Sequence, residues 1–244
     1  MVLCGVVLSA SLLMFGFDDT PVPGVISTRF GSIEVVYKMD NGMEAKEFRI
    51  LEGSHEWKVD LSGIIRTNDC ETLGVQPAMC PESPKAPCPK CPRRFKALAW
   101  DGQHRRVYFA LTTGISWENM WLILNYSLIT HQTTRLTGTW AAGLSTGVIS
   151  RSGQYLAYVK SHHVSPAFGC GPNADLEIVD LWNRRSANPA IDVKNPDGFG
   201  WIEKLIWESA SKLQYAGAVH RLDCKPIPGR AFEGAIDVSS LKFP

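Results

Sequence analysis

The stretch that decides the fold reads Gly147-Val-Ile-Ser-Arg-Ser-Gly-Gln-Tyr-Leu-Ala-Tyr-Val-Lys160, followed by Asp175-Leu-Glu-Ile-Val-Asp-Leu-Trp-Asn-Arg-Arg185. Its first part has two apolar and β-branched runs on either side of a polar turn, in which Gly153 is free to adopt a positive φ. Its second part has strand composition again, up to Trp182, and then breaks into Asn, Ser and Pro. The pattern predicts a hairpin and a third strand, which together form a meander.

The same pattern occurs twice more in the chain. Each copy has a hairpin with a polar turn and then a closing strand. The copies are 97–111 with 121–129, and 204–217 with 235–241. If Trp100, Ile149 and Trp207 are equivalent, they are separated by 49 and 58 residues. Periods of this size with several strands in each repeat are typical of propeller blades.

A family resemblance follows from these residues. Ser150-Arg-Ser-Gly-Gln-Tyr-Leu-Ala-Tyr158 resembles the Ser-Pro-Asp-Gly-Lys-x-Leu-Ala-Tyr hairpin of TolB-type β-propeller repeats. Leu176-Glu-Ile-Val-Asp-Leu-Trp182 resembles the strand of those repeats that ends in Asp-Leu before a polar turn. The likeness covers roughly residues 95–244, although Arg151-Ser152 replaces the usual Pro-Asp. It implies a propeller fold of the TolB or WD type and a rigid binding platform, not a particular function.

A divergent repeat precedes these three. Ile33-Glu-Val-Val-Tyr-Lys-Met39, the turn Asp40-Asn-Gly42 and Lys46-Glu-Phe-Arg-Ile-Leu51 predict a hairpin, and 56–61 adds a strand. The predicted fold class is therefore all-β: a β-propeller-like array of about four antiparallel blades, incomplete or divergent at the N-terminus. Because four blades are few for closure, a partner or self-association with a second copy could complete the array.

Composition excludes some functions. The chain has 244 residues, 45% hydrophobic and 20% charged, with a formal net charge of +1. This is ordinary for a soluble globular protein and gives no overall attraction to polyanions. No stripe of Arg or Lys alternates with the eight tryptophans, so no nucleic-acid partner is predicted.

The N-terminus resembles a signal peptide. Residues 1–17 are apolar or small, and acidic residues and Pro21 follow. A positive n-region and a small-x-small cleavage site are missing, which leaves a cleaved signal, an anchor and a buried strand open. We expect a leader at 1–20, one domain at 21–244, no membrane span in the mature chain, and a periplasmic or secreted location.

Six cysteines follow the leader region. Four of them lie in a segment with six prolines, 68–94, which is predicted to be a loop because proline lacks the backbone donor of a central strand. An even number of cysteines in an exported chain favours disulfides. The candidates are Cys70, Cys80, Cys88, Cys91, Cys170 and Cys224. Cys88-Pro-Lys-Cys91 has the spacing of a zinc site, which is the alternative.

Two further patterns suggest chemistry. His162, His163 and His220, with Cys170 and Cys224, could bind zinc, but a Cys170–Cys224 disulfide is the preferred interpretation. Gly143-Leu-Ser-Thr-Gly147 fits the nucleophile elbow of hydrolases, in which Ser145 would be the nucleophile. Strand and turn follow it where the elbow requires a helix, so a connection between blades is predicted instead.

The predicted function is that of an exported, non-enzymatic protein-binding module: a scaffold, an inhibitor or an immunity-type partner of another protein. Two insertions between equivalent strands, 112–121 and 161–174, are expected to leave the same side of the array and to form its binding surface. The candidate binding residues are Trp117, Trp121, His162, His163 and Phe168. No cofactor is predicted. The alternative is a hydrolase that uses Ser145, or a zinc-binding protein that uses the Cys and His loops.

Overall fold

The computed structural model describes residues 25–38, 47–61, 64, 94–112, 119–162, 173–191, 199–221 and 225–244. Within these ranges the chain forms β-strands and a single 3-10 turn, Val238–Ser240, and contains no α-helix. In the same ranges no helix is long and apolar enough to cross a membrane.

The strands form four antiparallel sheets. Sheet 1 contains β1 Val25–Phe30, β2 Ile33–Lys38, β3 Glu47–Glu52 and β4 His55–Asp60. Sheet 2 contains β5 Arg94–Asp101, β6 Arg106–Thr112, β7 Asn119–Ser127 and β8 Thr133–Ala141. Sheet 3 contains β9 Gly143–Leu144, β10 Val148–Ile149, β11 Tyr155–His162, β12 Asn173–Asp180 and β13 Arg185–Ala187. Sheet 4 contains β14 Phe199–Trp207, β15 Lys212–His220 and β16 Pro226–Asp237.

Each sheet is a meander in which sequence neighbours pair, apart from β9, which pairs with β11. The predicted all-β, propeller-like array of four antiparallel blades is therefore confirmed. The three residues taken as equivalent lie on the first strand of a hairpin in each sheet: Trp100 on β5, Ile149 on β10 and Trp207 on β14. Sequence reasoning missed β1 and most of β8, and it extended β12 to Trp182, although this strand ends at Asp180.

The sheets pack face to face in chain order. One buried cluster joins sheets 1 and 2, a second joins sheets 2 and 3, and a third joins sheets 3 and 4. Along β6, Phe109 belongs to the first cluster and Tyr108 to the second, because successive side chains point to opposite faces. Sheets 2 and 3 are thus covered on both faces, which explains their nearly continuous apolar strands.

The outer faces of sheets 1 and 4 carry charged side chains. On sheet 1, the face turned away from sheet 2 carries the ion pairs Arg29–Glu34 at 3.3 Å and Arg49–Glu56 at 3.6 Å. On sheet 4, the corresponding face has a shallow depression of about 470 Å³. Its floor includes Lys204, Ile206, Gln214, Ala216, Glu233 and Ala235.

The meander gives the array two distinct ends. At one, which we call the turn end, lie the short hairpin turns, such as 101–105, 127–132, 150–154 and 180–184. At the other, the insertion end, β6 stops at Thr112 before β7 starts at Asn119, and β11 stops at His162 before β12 starts at Asn173.

Candidate functional site

Three hairpin turns at the turn end share one construction. A side-chain oxygen of the first residue accepts hydrogen bonds from the backbone N–H groups two and three positions later, and the fifth residue has φ between 53° and 55°. The first residues are Asp101, Ser127 and Asp180, and the fifth residues are Arg105, His131 and Arg184. Asp and Ser suit the first position because their side chains imitate a backbone acceptor.

The turn after β12 presents Trp182 to solvent. Asp180 is buried, and its Oδ1 accepts hydrogen bonds from the N–H groups of Trp182 at 3.1 Å and Asn183 at 3.2 Å. Its Oδ2 accepts a further hydrogen bond from Asn183 Nδ2 at 2.7 Å. Leu181 packs into the cluster between sheets 2 and 3, whereas Trp182 is 64% exposed. The buried carboxylate therefore restrains the turn from which the indole projects.

The turn after β7 presents Ile129 in the same way. The N–H groups of Ile129 and Thr130 both donate to Ser127 Oγ at 3.2 Å, and His131 N–H donates to the Ser127 carbonyl at 2.9 Å. Ile129 is 68% exposed and occupies the position in its turn that Trp182 occupies in the other. Two large apolar side chains thus project from equivalent turns of neighbouring sheets.

The third turn, after β5, locks sheets 2 and 3 together at this end. Asp101 Oδ1 accepts hydrogen bonds from the backbone of Gln103 and His104, and His104 Nδ1 lies 2.7 Å from Asp101 Oδ2. Gly153 of the next sheet lies against this imidazole with φ of +70°, and a Cβ there would be 2.5 Å from His104 Cε1. Only glycine fits, both for its φ and for the close approach.

Arg105 connects the same turn to sheet 1. Its guanidinium donates to both carboxylate oxygens of Glu52 at 2.7 Å and lies 5.8 Å from the Trp57 ring and 5.5 Å from the Trp100 ring. The hydrogen bond from Arg105 lowers the pKa of Glu52, and the same bond raises the pKa of Arg105. The Arg105 and Glu52 charges are therefore paired with each other within the fold.

Polar side chains face sheet 2 from the insertion-end half of sheet 3. Across β11 and β12, Tyr158 pairs with Glu177 and Lys160 pairs with Asp175, and His162 follows on the same face of β11. Glu177 is buried, accepts a hydrogen bond from the Thr139 hydroxyl of sheet 2 at 2.5 Å, and lies 3.5 Å from Lys160 Nζ. Burial and then the Glu177 charge raise the pKa of Tyr158 well above its usual value.

This buried group suits a structural task. Because Glu177 of sheet 3 accepts its hydrogen bond from Thr139 of sheet 2, another alignment of the two sheets would break this bond and leave the buried carboxylate with its contact to Lys160 inside sheet 3. Nearer the insertion end, His162 Nε2 lies 3.2 Å from Asp175 Oδ2. On sheet 4, His220 Nε2 lies 3.8 Å from Glu203 Oε1. Among the described residues, no three His, Cys, Asp or Glu side chains are grouped as a metal site would require.

Of the five binding residues predicted from sequence, the structure describes Trp121 and His162, and these two do not form a common exposed surface. Trp121 is only 5% exposed, and its indole donates to the Ala141 carbonyl at 3.2 Å. It therefore belongs to the core of sheet 2 and not to an exposed insertion, because β7 begins two residues before it. His162 is half-buried at the end of β11. Trp117, His163 and Phe168 lie outside the described residues, as do all seven cysteines.

Ser145 lies in the connection between sheets 2 and 3. Its hydroxyl donates to the Thr146 carbonyl at 2.8 Å and accepts the Val159 N–H at 3.0 Å. Gly147 N–H donates to the Leu98 carbonyl at 2.7 Å, which ties this connection to sheet 2. Among the described residues, the hydrogen bonds of this hydroxyl go to the backbone of Thr146 and of β11.

The residues at the turn end were missed from sequence, because the stretch up to Trp182 was predicted to be a strand. The signal that could have found them is the shared spacing in Asp101-Gly-Gln-His-Arg105, Ser127-Leu-Ile-Thr-His131 and Asp180-Leu-Trp-Asn-Arg184. In each, an acceptor comes first and a residue with a positive φ comes fifth.

Comparison with known proteins finds similarity of shape only. No protein-family model and no curated protein matches the chain. A structure of Kuenenia stuttgartiensis hydrazine synthase has a TM-score of 0.46 and 11% identity, over 86% of this chain and 49% of that one. A prolyl endopeptidase structure has a TM-score of 0.45 and 10% identity, over 85% and 28%. The tricorn protease has 0.31 and 9%, over 77% and 22%.

This chain spans about half or less of the length of these three structures. At such identities the likeness says nothing about the chemistry of a site. The TolB-type repeat assignment stays a prediction.

Proposed function

We propose that the chain is a non-enzymatic module that binds another protein, as a scaffold, an inhibitor or an immunity-type partner. The observation that carries the proposal is the display of Trp182 and Ile129 on equivalent, side-chain-capped turns at one end of the array. Both are large apolar residues and more than half exposed.

Restrained turns favour binding for an energetic reason. Association costs conformational entropy for every side chain or loop that becomes ordered at the interface. Here the backbone hydrogen bonds to Asp180 and Ser127 are already made in the free protein. Tryptophan is among the residues that dominate binding energy when buried at the centre of an interface.

The test compares two exposed tryptophans. Wild-type protein is used to recover a partner from the native source, and the affinity of the purified pair is then measured. Trp182→Ala should weaken binding by about 2 kcal/mol, because it removes an interface anchor. Trp140→Ala is the matched control: Trp140 is 48% exposed but lies within β8 and not in a turn.

Equal affinity of both variants would contradict binding through the turn end. Loss of a catalytic turnover in Ser145→Ala, with normal partner binding in both tryptophan variants, would replace the proposal by the hydrolase interpretation.

The insertions 112–121 and 161–174 are the second candidate surface. Trp117→Ala and Phe168→Ala, in the same binding assay, decide whether they contribute.

Export to the periplasm or the medium is part of the proposal. It is supported by the apolar 1–17 segment and by the six cysteines that follow it. If it holds, denatured but unreduced mature protein should have almost no free thiol. Four free thiols with stoichiometric zinc would instead favour a metal site. Self-association to complete the array is tested by measuring the mass in solution.

A further inference from the structure

We propose that the partner presents an acidic segment, which binds the arginine side chains around Trp182 at the turn end of sheets 2 and 3. This inference rests on the proposed function, because it names the chemistry of the protein that the module binds.

Within the described residues, the exposed charges at the turn end of sheets 2 and 3 all have one sign. Arginine supplies every exposed charged side chain there among the described residues of sheets 2 and 3. These residues are Arg106, Arg135, Arg151, Arg184 and Arg185. The two carboxylates at this end, Asp101 and Asp180, are buried within their own turns. The exposed carboxylate of the described part of these sheets is Asp175, at the insertion end. A chain of net charge +1 thus has a local basic surface.

Neighbouring carboxylates do not cancel this surface. Glu52 of sheet 1 accepts both hydrogen bonds from Arg105. On sheet 4, Glu208 lies 2.9 Å from Lys212 Nζ, and Asp237 accepts hydrogen bonds from Ser239, which lower the pKa of Asp237 together with the nearby charge of Lys212. Lys242 in the C-terminal segment is also exposed. The nearest acids on both flanks therefore already have partners within the fold.

The arginines and the tryptophan belong to one continuous piece of structure. Leu181 N–H donates to the Gln154 carbonyl at 2.8 Å, which joins turn 180–184 to turn 150–154, where Arg151 lies. Leu181 and Leu136 belong to the same buried cluster, and β13, which follows this turn, contacts β8, the strand that carries Arg135. Arg185 begins β13 and donates to the Phe243 carbonyl at 3.4 Å.

An acidic protein segment fits this chemistry better than other anions. Guanidinium groups bind carboxylates through paired hydrogen bonds, and Arg and Trp are the residues most enriched among interface anchors. Single-stranded nucleic acid is bound by several aromatic side chains that stack on successive bases. Among the described residues at the turn end, Trp182 is the one large aromatic side chain that is exposed, which is too few for stacking on successive bases. A membrane surface would need a broader apolar face than Trp182 and Ile129 supply.

The first experiment measures binding of a short peptide of glutamates with one central leucine, with a glutamine version of the same peptide as control. Single-stranded DNA of the same charge and vesicles that contain phosphatidylserine are further probes. We expect the glutamate peptide to bind, the glutamine peptide to bind about tenfold more weakly, and the difference to shrink at high salt. Equal affinity for both peptides, or no binding of the glutamate peptide up to about 1 mM, would overturn the proposal. So would tighter binding of DNA or vesicles.

The second experiment uses charge reversal. Arg151→Glu with Arg184→Glu should weaken glutamate-peptide binding about tenfold or more. Arg29→Glu with Arg49→Glu changes the net charge equally on the outer face of sheet 1 and should alter it less than about twofold. Unfolding midpoints of both double variants confirm that they fold.

The recovered partner separates this inference from the proposed function. If its binding depends on Trp182 but not on the two arginines, the acidic-segment inference is wrong and the protein-binding function stands. If it depends on neither, the acidic-segment inference and binding through the turn end are both wrong.

Discussion

The interface between sheets 1 and 2 and the interface between sheets 2 and 3 are built differently. The first is aromatic: the ring of Phe95 lies 4.6 Å from Tyr37, 4.8 Å from Phe48 and 5.5 Å from Phe109. The second includes the buried group of Thr139, Glu177 and Lys160. Apolar packing does not depend on one particular donor and acceptor, whereas the buried Glu177 carboxylate loses a hydrogen bond when Thr139 of sheet 2 is displaced. We infer that the first interface mainly supplies stability and the second mainly fixes alignment.

The largest effect is expected from the aromatic interface. Phe109→Ala should lower the free energy of unfolding by about 3–5 kcal/mol, because it leaves a cavity among closely packed rings. Urea denaturation measures this loss. Ile206→Ala, on the outer face of sheet 4, is the control and should cost about 0.5 kcal/mol or less. Similar losses in both variants would remove the distinction between interior and outer face.

The polar interface should show coupling. Lys160→Met leaves the Glu177 carboxylate buried without its cation and should cost about 3 kcal/mol. The double variant Lys160→Met with Glu177→Leu should recover most of this loss in urea denaturation, because neither charge is then left alone. If the losses of unfolding free energy measured separately for Lys160→Met and Glu177→Leu add up to the loss in the double variant, the pair does not act as a unit.

Alkaline pH tests both interfaces together. Burial raises the pKa of Tyr37, in the first interface, and of Tyr108, in the second, to about 12. Between pH 10 and 12 the unfolded chain loses these protons while the folded chain keeps them, so stability falls as pH rises. The loss should be on the order of 2 kcal/mol for each tyrosine near the upper limit. Tyr37→Phe and Tyr108→Phe should each flatten the curve of unfolding free energy against pH; unchanged curves would contradict the assignment.

A smaller effect is expected at the turn end. Asp180→Ala removes the acceptor for two backbone N–H groups and should cost about 1 kcal/mol. Asp180→Asn keeps one side-chain oxygen and should cost less. Thermal denaturation compares the two variants. If alanine is no worse than asparagine, the side chain does not restrain the turn.

Most of the fold could be predicted because its signals are local. The hairpin around Gly153 and the strand 155–160 follow from turn chemistry and β propensity alone. Most of β8 was missed because stretches such as Thr137-Gly-Thr139 are weakly apolar, and the role of this strand depends on sheet 3, which bonds to Thr139. Long-range contacts of this kind leave no mark in a short window of sequence.

The candidate site was harder to predict. Trp121 precedes apolar strand residues and Trp182 follows them. The sequence around each tryptophan does not show whether it lies in the core or in a turn. What separates them is where β7 begins and where β12 ends. Strand boundaries are set by hydrogen bonds, here those of Asp180, and a shift of two residues moves a tryptophan from core to surface.

The central claim is that the partner contacts the turn end. Hydrogen exchange of the protein with and without its recovered partner tests this most directly, because protection is localised along the chain. We predict slower exchange in 127–132 and 180–185, where Ile129 and Trp182 are displayed. Protection confined to 112–121 and 161–174, with unchanged exchange in both turns, would contradict it.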